Sequence, residues 1–126
     1  MEVAGLWHSI ADLHTAIGSV LEAYSTMWGC HLSHPYRSGA SLYFTFMVHD
    51  ADDESARSSY RACWDAAVAA TNGVGATMTH HHGVGILRAP YMLEELGITG
   101  LETLIAVKHA LDPGGIMNPG KLIPGR

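Results

Sequence analysis

Three imidazoles stand in a row at His80-His81-His82, with Thr79 before them and Gly83-Val84-Gly85 behind. Histidine titrates near neutral pH, so such a run can move protons, hold an anion or ligate a metal. The glycines let backbone come close to a ligand. If the run is extended, His80 and His82 share one face and His81 takes the other. A metal would need a third ligand, such as His31 or His34 on a neighbouring strand, and fixed hydrogen bonds behind the ligands. No carboxylate lies near in sequence, so no metal site is assigned. On residues alone three readings stay open: an acid–base or substrate-contacting site, a metal site, or a solvated polar loop.

His31-x-x-His34-Pro35-Tyr36 is the second cluster. In a strand its two histidines face opposite ways and do not share a ligand. Tyr36 sits at a chain turn between a proline and a glycine. It is either a packing residue or a phenol poised for proton transfer, the latter only with its pKa lowered by a nearby cation. Arg88, six residues after His82, binds an anionic group or is solvated. Several signatures are absent: GxGxxG after a strand, GxxxxGK[ST], Gly-x-Ser-x-Gly, HExxH and CxxC. By its own motifs the chain binds no dinucleotide, and its side chains would complete a site built elsewhere.

The elements that must position these residues follow from composition and periodicity. The 126 residues suit one domain with one core, and 48% are apolar. A net charge of -5 argues against nucleic acid as the main partner. No apolar run is long enough for a transmembrane segment. The two cysteines, Cys30 and Cys63, lack metal or redox spacing and are expected as reduced core residues of a cytoplasmic protein. No secretion leader opens the sequence. The first strand begins as if cut from a longer chain, so Met1 is not expected to be a natural start.

Glu2–Trp7 reads as an edge strand. Leu13, Ile17, Val20, Leu21 and Tyr24 recur at helical spacing, giving a helix over about residues 9–25 with Ser9 as its N-cap. Met27–His34 and Ser41–Val48 read as a hairpin around Pro35–Ala40. Asp52 or Asp53 caps a helix over about 54–71, stopped at Asn72-Gly73. Gly73–Met78 is a strand leading into the histidines. A short helix near 91–96 ends at Gly97, a second runs over about 100–111, and the tail from Asp112 is a Pro/Gly-rich coil. The order β-α-β-β-α-β predicts an α+β fold: a ferredoxin-like split βαβ antiparallel sheet with helices on one face, plus C-terminal helices and an irregular tail. Trp7, Trp28 and Trp64 are expected mostly as core.

Thr79–Gly85, then Arg88, then Leu111-Asp112-Pro113-Gly114-Gly115-Ile116-Met117-Asn118-Pro119-Gly120-Lys121-Leu122 resemble the C-terminal end of FAD-linked oxidases of the vanillyl-alcohol oxidase type. Ser33–Phe44 fits the strand pair of the same family. The members most resembled are the alkyldihydroxyacetonephosphate synthases and their bacterial relatives, and the resemblance spans essentially the whole chain. It implies that residues 1–126 form one C-terminal substrate or cap domain over a flavin. FAD would be held mainly by an N-terminal domain absent from this chain, and that domain and a small-molecule substrate would be its partners. It implies Tyr36, His80, His81 and His82 at the active site and Asn118 as a cofactor contact; Arg88 is expected beside them as a substrate contact. The related 2-hydroxyacid dehydrogenases usually carry Glu-His-Gly where this chain has His81-His82-Gly83. That departure weakens both the metal reading and the glycolate or D-lactate dehydrogenase alternative. A non-catalytic ferredoxin-like binding module is the other alternative, and a homodimer is left open.

Overall fold

The computed structural model describes residues 1–124. Its elements are β1 (Glu2–Leu6), α1 (Ile10–Tyr24), β2 (Met27–Ser33), β3 (Gly39–Met47), α2 (Asp53–Gly73), α3 (Gly85–Arg88), a 3-10 turn (Ala89–Tyr91) and α4 (Met92–Leu111). Residues 1–81 form one compact unit and a second begins at His82. The fold class is α+β.

In the first unit the sheet order is β1-β3-β2, antiparallel throughout. Alternation along β3 divides its side chains between two faces. Leu42 and Phe44 join Val3 against Leu13, Ile17 and Leu21 of α1 and Cys63 and Ala67 of α2. Burying each large apolar side chain contributes roughly 1.5–3 kcal/mol. Ser41 and Tyr43 point to the opposite face, as do Glu2 and His31, both paired with Tyr43. Cys63 lies in the core and Cys30 is half-buried; both are free thiols whose pKa burial pushes up.

The expected fourth strand is reduced to one antiparallel bridge, Ala4 with Thr77. It closes through hydrogen bonds of 3.1 and 2.9 Å between the two backbones. Beyond it the ladder does not continue. The N–H groups of His80 and His81 donate to the Glu2 carboxylate instead of to a strand.

Asp52 caps α2 as expected, accepting from the Glu54 and Ser55 N–H groups. Ser9 does not cap α1: its hydroxyl donates back to the Leu6 carbonyl. Trp7, expected as core, is 45% exposed, and its indole donates to the Tyr36 carbonyl at 2.9 Å. With the Tyr36 N–H on the Gly39 carbonyl at 2.7 Å, that bond fixes the β2–β3 loop. Gly39 lies so close to β1 that a Cβ there would stand 2.0 Å from the Gly5 carbonyl oxygen.

In the second unit, Gly97 breaks α4 with φ 67 and ψ 172, so the two expected helices meet at that residue. Beyond α4, Asp112 organises the tail. Its carboxylate accepts from the Ile116 and Met117 N–H groups and from Lys108, which also donates to the Met117 carbonyl. Ile123 is buried, and the Leu122 N–H returns to the Gly85 carbonyl at 3.3 Å. Among the described residues no helix is long and apolar enough to cross a membrane.

Candidate active site

On the sheet face away from α1 and α2, Glu2, Tyr43 and His31 lie side by side across the three strands. The His31 ring stacks on Tyr43 with centroids 5.0 Å apart. The histidine run crosses the Glu2 end of this row. It is a bend and not a strand, so the extended case considered for it does not arise. Within the first unit the backbone N–H groups of His80 and His81 lie 3.0 and 3.2 Å from Glu2 Oε2. Glu2 itself is fully buried.

The His81 ring is held at both nitrogens. Tyr36 Oη lies 2.8 Å from Nε2 and Tyr43 Oη 3.1 Å from Nδ1. Glu2 Oε1 stands 3.6 Å from Nδ1, outside hydrogen-bond range but close for a charge. A carboxylate beside Nδ1 favours the proton on that nitrogen. Nε2 then offers its lone pair to the Tyr36 hydroxyl. Burial first, then the charge of Glu2 and the neighbouring Tyr36, push the Tyr43 pKa up, so Tyr43 remains a neutral phenol. Tyr36 is 46% exposed and presents its hydroxyl to whatever occupies the site.

His34 enters the cluster through its backbone. Its φ of 46 departs from strand geometry, and its ring lies 4.3 Å from that of His81. Strand parity, which set His31 and His34 on opposite faces, does not hold across that residue. His80 meets Tyr36 edge-on at 5.5 Å. A cavity of about 280 Å³ opens beside this pair, lined also by Leu6, Ala40, Ala76 and Thr77. Among the described residues no group of three or more His, Cys, Asp or Glu side chains is arranged to hold a metal ion.

Of the residues singled out from sequence, Tyr36, His80 and His81 come together in the first unit. His82, Arg88 and Asn118 belong to the second. Arg88 is buried and donates from Nη1 to the Gly83 carbonyl at 3.1 Å, closing the turn after the histidines. Asn118 is exposed with φ 49, one residue beyond the loop that Asp112 ties down. Sequence reasoning missed Glu2, Tyr43 and the inward turn of His34. One signal was present: a carboxylate at the head of an otherwise apolar strand.

Residues 1–122 match the family described as FAD linked oxidases, C-terminal domain. The chain is similar to an alkyldihydroxyacetonephosphate synthase of Trypanosoma brucei brucei, 41% identical over 96 residues, 76% of this chain and 16% of that protein. It is 30% identical over 132 residues to an uncharacterized FAD-linked oxidoreductase, YgcU, of Escherichia coli (strain K12), covering 98% of this chain and 27% of that protein. It is also 37% identical over 87 residues to a mitochondrial D-lactate dehydrogenase [cytochrome] of Arabidopsis thaliana, 69% of this chain and 15% of that protein. The chain thus spans about a quarter or less of the length of these relatives. It belongs to the FAD linked oxidases, as their C-terminal domain.

Proposed function

We propose that this chain is the substrate-facing cap of an FAD-dependent oxidoreductase or alkyl-transfer synthase, and that Tyr36 and His81 move its proton. The 2.8 Å contact between Tyr36 Oη and His81 Nε2 carries this reading. The exposed phenol oxygen takes a proton from substrate while its own proton passes to Nε2. Run backwards, the pair donates a proton. His80, beside Tyr36, orients substrate at the mouth of the cavity, and His82 is proposed as a further catalytic residue. Arg88 donates from Nη1 to the Gly83 carbonyl and is proposed as the contact for an anionic substrate group.

FAD fits this chain through one contact. The described residues supply no phosphate-cradling glycine loop, but Asn118, exposed just beyond the loop that Asp112 ties down, offers an amide donor and acceptor suited to the edge of a flavin ring. Held mainly by the N-terminal half of the enzyme, FAD supplies two-electron redox chemistry. Tyr36→Phe, His81→Ala and His82→Ala in the intact enzyme test the reading. Losses of turnover at Tyr36 and His81 of roughly a hundred- to ten-thousandfold are expected. Wild-type turnover in all three would return the domain to a non-catalytic module.

Similarity to a D-lactate dehydrogenase supports a second reading, a 2-hydroxyacid dehydrogenase. Reduction of the flavin by D-lactate or glycolate, measured anaerobically, separates it from the synthase reading. A cytoplasmic location and a homodimer complete the proposal, checked by fractionation and by light scattering of the intact enzyme.

A further inference from the structure

We infer that Glu2 is the positioning residue of this site: its carboxylate fixes the His81 ring in the tautomer that accepts the Tyr36 proton. The inference rests on the acid–base reading of Tyr36 and His81 and adds a group that this reading does not use.

Four observations carry it. Glu2 is fully buried, on the sheet face away from the core helices. One oxygen, Oε2, accepts both the His80 and His81 N–H groups and so sets the backbone that carries the two rings. The other, Oε1, lies 3.6 Å from His81 Nδ1. The opposite ring nitrogen, Nε2, meets the half-exposed phenol of Tyr36. A carboxylate acts only as an acceptor, so it selects Nδ1–H and leaves Nε2 as the base. When Nε2 takes the proton, the ring becomes a cation facing an anion already in place, with no reorganisation needed.

The other groups around His81 do not set this preference. Tyr43, from β3, and Tyr36, from the β2–β3 loop, both donate and accept. His34, at the end of β2, and His80, next in the chain, approach with rings 4.3 Å away. They bring no negative charge. Glu2, unlike these four side chains, is acceptor-only.

Glu2→Gln in the intact enzyme is the test. The amide oxygen can still accept the two backbone N–H groups, while the amide NH2 meets Nδ1 as a donor and drives the proton to Nε2. Expected results are an unchanged melting temperature within a few degrees, unchanged KM, and a kcat lower by roughly a hundredfold or more. The histidine 15N spectrum should show His81 protonated at Nδ1 in the wild type and at Nε2 in the variant. Glu2→Asp, which keeps the charge, should recover part of the loss.

Wild-type kcat and an unchanged tautomer in Glu2→Gln, with Tyr36→Phe and His81→Ala inactive, would overturn the role of Glu2 alone. Full activity in Tyr36→Phe and His81→Ala would instead overturn the acid–base reading beneath it. If Glu2→Gln does not fold, the wild-type spectrum decides by itself: a His81 proton on Nε2 overturns the inference.

Discussion

Tyr36 and Tyr43 bond opposite nitrogens of one imidazole, yet their environments assign them different work. Tyr36 is exposed, while burial and Glu2 hold Tyr43 neutral. Removal of the Tyr43 hydroxyl is therefore expected to cost less than removal of the Tyr36 hydroxyl. Tyr43→Phe should lower kcat by roughly tenfold at most and leave KM unchanged, because Glu2 still sets the ring. Steady-state kinetics of the two Phe variants side by side checks this. The pairing of Tyr36 with the histidine run was legible through the family resemblance. Glu2 was not, because it meets His81 across 79 positions and no local pattern encodes such a distance. His34 was misplaced by strand parity, which assumes extended backbone and fails at a left-handed residue.

Elements explain which expectations held. Hydrophobic periodicity located α1, α2 and the hairpin, because each buries one clear stripe or face. Gly97 was read correctly as a break, since its positive φ suits glycine. The expected fourth strand is reduced to the bridge at Thr77 because α2 runs on to Gly73 and takes the start of that segment. Close approach of β1 and β3 makes Gly39 a sensitive position. Gly39→Ala must push against Gly5 backbone, and a destabilisation of roughly 2–4 kcal/mol is expected, read as a fall in the melting temperature. The tail depends on charge. The Lys108 bond, with help from the Met117 and Ile116 N–H groups, holds the Asp112 pKa below its ordinary 3.8. A carboxyl so depressed stabilises the folded loop above about pH 4 and loses that contribution as pH falls through its folded value. Amide exchange at Ile116 and Met117 should therefore quicken below that pH in the wild type. In Asp112→Asn it should already be fast at neutral pH.

Over the whole molecule, the distribution of apolar surface matches a domain that works against a partner. Leu111 and Ile116 are 75% and 83% exposed. Serine at both positions should leave the secondary structure of this domain intact, since neither side chain is buried in it. The same double variant should weaken docking to the FAD-binding half, read as flavin lost during gel filtration. Retention of flavin at the wild-type level would place the interface elsewhere. The contact from Glu2 to the histidine run has a further consequence, in time instead of space. It joins the first strand to the last turn of its unit, so the ends of nearly the whole unit must meet before the His81 ring acquires its anion. Closure over such a span belongs late in folding, after the local helices and hairpin have formed. A partly folded chain would hold its tyrosine and histidines yet lack their polarity, so acid–base competence would arrive together with the native topology.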